Sequence, residues 1–251
     1  MRLKKVSRAL LWCGFASGMI SVLVSLSACG GRVYAPVSDV STIEKIPAKG
    51  VHIVRRGETL YSIAWRYGMD YRTLAAMNHI SPPWRVWLGE SIYLRNQTGT
   101  YSINTHSISH AQKKHKNGLK VTEYGFVEPK EGHWRWPAKG RLAGVYSSFN
   151  RGINIAGHQG EAIYATAAGR VVYAGDGLRG YGNLIIIKHN NAWLSAYAWN
   201  KNMLVREGET VRAGQAIATM GSMGQFRPML HFEIRYNGKP VNPLRYLSKG
   251  A

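Results

Sequence analysis

From residue 134 to residue 247 the chain is a string of short β-branched and aromatic runs, and no other feature restricts its fold as strongly. GRVVYAG (169–175), NLIIIKH (183–189), AWLSAYAW (192–199), AIATMG (216–221) and LHFEIRY (230–236) are separated by Gly or Asn turns. Runs of this length and composition suit a pleated, packed surface rather than a helix. Asn237-Gly238 follows the last run directly. It is the dipeptide a two-residue hairpin turn prefers, because both central residues take positive φ. No long helical period interrupts the series, so an antiparallel sheet is expected.

Residues 51–94 follow a different pattern. Val51-His52-Ile53-Val54 alternates like a strand. Leu60, Ile63, Ala64 and Tyr67 then recur at i, i+3, i+4 and i+7, one face of a helix. Asp70 is placed to cap a second helix bearing Leu74 and Met77. Residues 78–83 read as a turn, and Leu88 to Leu94 lead into a closing strand. This β-α-α-β order, with its Gly-Glu-Thr-Leu step, Asn-x-Ile turn and Gly-Glu-x-Ile ending, resembles a LysM domain. The resemblance implies a shallow groove between the loop Gly57, Glu58, Thr59, Leu60 and the loop Ile80, Ser81, Pro82. Such a groove binds the glycan strands of peptidoglycan at N-acetylglucosamine, partly through backbone hydrogen bonds. Trp84 and Trp87 are read either as packing residues or as further glycan contacts.

FNRGINIAG (149–157) and LHFEIRY together resemble the metal-binding frame of the LytM (lysostaphin-like) zinc peptidoglycan endopeptidases. Active members of that family carry a His-x-x-x-Asp pair and a His-x-His pair in this zinc-binding frame, and a further His in a Tyr-Ala-His segment helps stabilise the transition state. Here Asn150 and Asn154 stand at the first pair, Met229 at the first His of the second, and Trp199 at the transition-state His; His231 alone survives. Zinc takes thiolate, imidazole and carboxylate ligands at about 2.0–2.3 Å. Two amides and one imidazole set no negative charge against a dication, and without zinc nothing lowers the pKa of water. The resemblance therefore implies a groove with no metal, no cofactor and no catalytic residue. Asn150, Asn154, Trp199, Met229 and His231 would line it, with Tyr181 as a rim contact. His189 reads as structural, and His158 in the AGHQG turn fits no ligand spacing.

The N-terminus is read as a targeting signal. Arg2, Lys4, Lys5 and Arg8 precede an uncharged, mostly apolar stretch that ends in Leu26-Ser27-Ala28-Cys29. That is the anatomy of a secretory signal, and its ending resembles a lipobox, with Cys29 as the lipidated residue. An uncleaved anchor is the alternative, since about 20 apolar residues span a bilayer. The other Cys, Cys13, falls within the signal, so the mature chain is expected to have no disulfide. Gly30 rather than Asp follows Cys29, which favours the outer membrane. The formal net charge is +20, and such a balance attracts polyanions. For an exported chain these are the acidic wall polymer and anionic lipid; no nucleic-acid motif is present.

Residues 95–131 are polar, without apolar periodicity, and read as a flexible linker. His110 and His115, beside a Lys-rich run, belong to that solvated basic segment rather than to a metal tract. The chain is thus divided into a signal (1–28), a tether (29–50), a LysM domain (51–94), a linker (95–131) and a degenerate LytM domain (132–248). This order, with RGYGNLIIIKH, MLVREGE and LHFEIRYNGKPVNPLRYL, resembles the NlpD-like murein hydrolase activators. The implied chain is α+β, a small β-α-α-β unit joined to a mostly antiparallel-β unit. It would sit on the outer membrane of a Gram-negative bacterium, facing the periplasm through its lipid anchor. There it would bind peptidoglycan and activate a periplasmic N-acetylmuramoyl-L-alanine amidase in septal cleavage. Two readings stay open beside it: an active zinc endopeptidase with unusual ligands, and a plain outer-membrane-to-wall tether.

Overall fold

The computed structural model describes residues 43–95, 132–224 and 226–248. The signal, Cys29 and residues 96–131 of the expected linker lie outside the described residues. The small unit consists of β1 (Val51–Ile53), α1 (Leu60–Arg66), α2 (Tyr71–Met77) and β2 (Ser91–Tyr93). β1 and β2 pair antiparallel, Val51 opposite Tyr93. Thr59 caps α1: its Oγ1 accepts the Ser62 N–H at 3.2 Å, and Ser62 Oγ accepts the Thr59 N–H at 2.9 Å, a reciprocal box that satisfies two end donors. Asp70 caps α2 as its position predicts, accepting from the N–H groups of Arg72 and Thr73.

Every residue of α1 is buried. A helix on the surface of a small unit keeps one face in water, so something outside the unit must cover the rest. That cover is the sheet of the larger unit. Its strands are β3 (Arg141–Gly144), β4 (Ile153–Ala156), β5 (Ala162–Tyr164), β6 (Gly169–Gly175), β7 (Asn183–Lys188), β8 (Trp193–Met203), β9 (Thr210–Val211), β10 (Ala216–Met220), β11 (Met229–Tyr236) and β12 (Lys239–Val241). They form a ten-stranded sheet with the main order β3-β4-β11-β8-β7-β6-β9; β12 joins β11, and β10 pairs with β5 and β8. All the pairings are antiparallel. The expected α+β class holds. The Asn237-Gly238 turn joins β11 to β12 with φ of 48° and 76°.

Alternation along the central strands divides two cores. Ile185 and Ile187 of β7, Tyr197 of β8, and Leu230, Phe232 and Ile234 of β11 belong to one, together with Trp134 and Ile217. Leu184 and Ile186 of β7, and Leu194, Ala196 and Ala198 of β8, belong to the other, which is continuous with Leu60, Ile63, Trp65 and Leu74 of the small unit. Because both faces of β7 and β8 are covered, these strands read as unbroken apolar runs. On β11 the alternation places His231, Glu233 and Arg235 opposite Phe232, on the face that meets the helices.

Candidate functional site

Asn154 of β4 and His231 of β11 are direct partners across the sheet, and Met229, two residues earlier on the same strand face, pairs with Ala156. His231 Nδ1 lies 2.7 Å from Asn154 Oδ1, and its Nε2 lies 3.2 Å from Glu233 Oε1. Glu233 Oε1 also accepts the Tyr181 hydroxyl at 2.7 Å. Its other oxygen accepts from both Nε and Nη2 of Arg235 at 3.1 Å. Trp199 has φ 64°. Its backbone N–H donates to the Tyr181 carbonyl and its indole N–H to the Gly180 carbonyl. Those two bonds hold Tyr181 over His231, with the Trp199 ring 5.2 Å from the imidazole. Asn150 braces the loop before β4, donating through Nδ2 to the carbonyls of Val145 and Gly152 at 3.0 Å. The amide nitrogens of Asn150 and Asn154 converge beside Gly144, where a side chain would meet both.

Burial alone would push the Glu233 carboxyl up; the Arg235 guanidinium and His231 overcome it and hold the group at about 2. Burial and the neighbouring Glu233 push the Tyr181 hydroxyl well above its usual range, so Tyr181 stays a donor. On the other side of the sheet His189 is fully buried, with Nδ1 2.7 Å from the Ala168 carbonyl and Nε2 2.8 Å from Ser195 Oγ. Burial pushes its imidazole down to about 4, against the Ala168 carbonyl, which raises it. Both folded values lie below the ordinary ones of 4.5 for Glu and 6.5 for His, so the unfolded chain binds more protons in acid. Stability is expected to be level above pH 7. It should fall from about pH 6.5 toward 4 as His189 loses its advantage, and further below pH 4.5 as Glu233 does. Thermal melts from pH 3 to 8 check this; a maximum near pH 5 would contradict it.

The structure brings Asn154, Tyr181, Trp199 and His231 into one cluster, sets Asn150 beside Asn154 and Met229 two residues along β11, and corrects how they are exposed. The groove is not open. Asn154, Trp199 and His231 are at most 2% exposed, and Tyr181, expected at the rim, is 6% exposed at the centre of the network. Met229 and Asn150 are half-buried. In the small unit Gly57, Ser81 and Pro82 reach the surface. The Leu60 side chain lies in the core, and the Glu58 carboxylate binds His52 and Arg66 at 2.7 and 2.6 Å. At those two positions the backbone rather than the side chain would be open to the expected glycan. Trp84 packs edge-on to Tyr71, whereas Trp87 is exposed. His158 is exposed and lies beside Glu161. Sequence reasoning missed Glu233 and Arg235. Their spacing of two from His231 was the available signal, since it puts three polar groups on one face of a buried strand.

The zinc ion implied by the LytM frame does not fit these residues. The Asn154 amide already holds His231 Nδ1, the Asn150 amide is turned to backbone carbonyls, and Met229 offers a thioether. Among the described residues no three of His, Cys, Asp or Glu gather where a metal ion could sit.

Residues 148–243 match Peptidase family M23, and residues 52–94 match the LysM domain. The lipoprotein NlpD/LppB homolog of Pseudomonas aeruginosa is 40% identical over 89% of this chain and 88% of its own. The murein hydrolase activator NlpD of Escherichia coli is 40% identical over 78% of this chain and 67% of its own. The lipoprotein YgeR of Escherichia coli is 39% identical over 91% of this chain and 90% of its own.

Proposed function

The chain belongs to the NlpD/LppB family of outer-membrane lipoproteins, and from that premise we propose that it activates a peptidoglycan hydrolase without cleaving peptidoglycan itself. The hydrolase is a periplasmic N-acetylmuramoyl-L-alanine amidase acting in septal cleavage. The observation that carries this reading is the closed polar network at the former metal site. Asn154, His231, Glu233, Arg235 and Tyr181 satisfy one another, so the site keeps its shape without a metal and offers no activated water. A catalytic centre has become a structural one beside a surface that docks a partner.

Activation of this kind is a population shift: the activator binds the open amidase better than the closed one. A tenfold shift needs about 1.4 kcal/mol of differential affinity. The LysM unit holds the chain on glycan and the lipid on Cys29 holds it at the membrane, which raises the local concentration for both encounters. Met229 is the groove residue to alter, because it is half-buried, whereas a charge at Trp199 would be buried in the core. In a dye-release assay on labelled sacculi the chain alone should release nothing, and amidase release should rise when it is added. Met229→Glu should remove that rise while sacculus binding persists. Release by the chain alone would restore the endopeptidase reading; failure to stimulate any periplasmic amidase would leave the tether.

A further inference from the structure

We propose that the LysM unit is a removable lid on the groove face, and that glycan binding lifts it. This regulates the docking surface of the preceding section and rests on that reading.

Four observations lead there. First, α1 is buried on all sides, and its outer side is covered by the M23-type sheet. Second, polar contacts fasten the seat. Arg235 donates to the Trp65 carbonyl at 3.2 Å, and its guanidinium lies 3.4 Å over the Trp65 ring. Arg66 donates to the Gly177 carbonyl at 3.0 Å, and Arg72 to Asn237 Oδ1 at 2.7 Å. Third, Trp65 stands edge-on to Tyr181, which covers His231. A partner reaching for Tyr181 or Trp199 meets the LysM helix first.

The fourth observation links the two ligands. Thr59 lies in the loop expected to bind glycan, and its hydroxyl donates to the Val172 carbonyl of β6 at 3.1 Å. A hydroxyl has one proton to give. The loop that would grip sugar is therefore part of the seat. If sugar binds the lifted unit better, it shifts the balance toward the lifted state. By linkage, a partner on the bare groove face then strengthens glycan binding by the same factor. The chain would expose its groove where glycan is at hand and keep it covered elsewhere.

The chain has two cysteines, Cys13 and Cys29, so a thiol placed under the lid can be made unique. Val172 is 8% exposed in the core shared by the two units. In the chain with Cys13 and Cys29 replaced by Ser, Val172→Cys should react slowly with a maleimide. Saturating N-acetylglucosamine pentamer should speed the reaction about tenfold or more. Ala198→Cys serves as a second reporter should Val172→Cys melt at lower temperature. A wedge gives the lifted state without sugar. A Cβ at Gly238 would lie 2.7 Å from the Asp70 nitrogen and 2.8 Å from its Cα. Gly238→Asn keeps a residue that tolerates the left-handed turn yet collides with the LysM backbone. It should speed labelling, whereas Gly160→Asn, at φ +86° with nothing within 4 Å, should not. Labelling that the pentamer leaves unchanged, whether the pentamer binds or fails to bind, overturns the proposal, as does a Gly238→Asn chain that reacts no faster than the parent. No amidase enters this assay, so failure of the lid and failure of the activator reading are told apart.

Discussion

Replacing Arg235 with alanine should lower the free energy of unfolding by about 3–5 kcal/mol, the cost of leaving a buried charge without its partner. Glu233 is fully buried, and one of its oxygens depends on two Arg235 N–H groups. The same substitution removes the guanidinium from the Trp65 ring and a donor from the Trp65 carbonyl, so both units feel it. The paired change Glu233→Gln with Arg235→Met should cost far less, because it removes both charges and retains an acceptor for Tyr181. Urea unfolding of the three chains decides the matter, provided the slope with denaturant is unchanged. A loss below about 1 kcal/mol for the single substitution, the range of a surface pair, would mean that the ion pair is not buried in solution.

A gain of function should follow from supplying the side chains that the LytM resemblance implies for this frame. Asn150→His, Asn154→Asp and Met229→His together should give a chain that binds a single zinc ion far more tightly than the parent. The frame for it is present. His231 Nδ1 already points at the residue-154 side chain from 2.7 Å, residue 229 lies two along the same strand, and the residue-150 and residue-154 side chains converge beside Gly144. The substitutions supply imidazole and carboxylate where amides and a thioether stand. Calorimetric titration with zinc should give a one-site isotherm that weakens in acid, because the ligands must be deprotonated. Cleavage need not return with the metal, since Trp199 still occupies the transition-state position and Tyr181 covers His231. A triple variant that folds yet ignores zinc would show that the frame has lost its geometry as well as its donors.

Much of the architecture was legible because local and tertiary demands agree. Asp70, the Asn237-Gly238 turn and the apolar runs of β6, β7, β8 and β11 each have one low-energy use, and the fold employs it. β5, β9 and β12 went unread because two or three residues carry no period. The expected groove residues are named from the motifs that flank them in the chain. Their burial is not legible, because what covers them comes from another unit far earlier in the chain. Even so, a trace of the cover was present. Trp65 lies off the helical face set by Leu60, Ile63, Ala64 and Tyr67, and a large apolar residue on a polar side signals a second packing surface. Tyr181, expected at the rim, is instead 6% exposed. Two bonds from Trp199, a residue with positive φ, tie the Tyr181 loop inward, and sequence does not announce them.

The activator reading requires that this M23-type site has given up its metal and its chemistry together. Metal analysis of the chain produced in zinc-supplemented medium, followed by incubation of that preparation with dye-labelled sacculi and no other hydrolase, tests it most directly. Far less than one zinc per chain and no released dye are expected. One zinc per chain, lost on substitution of His231 and accompanied by soluble muropeptides, would contradict it.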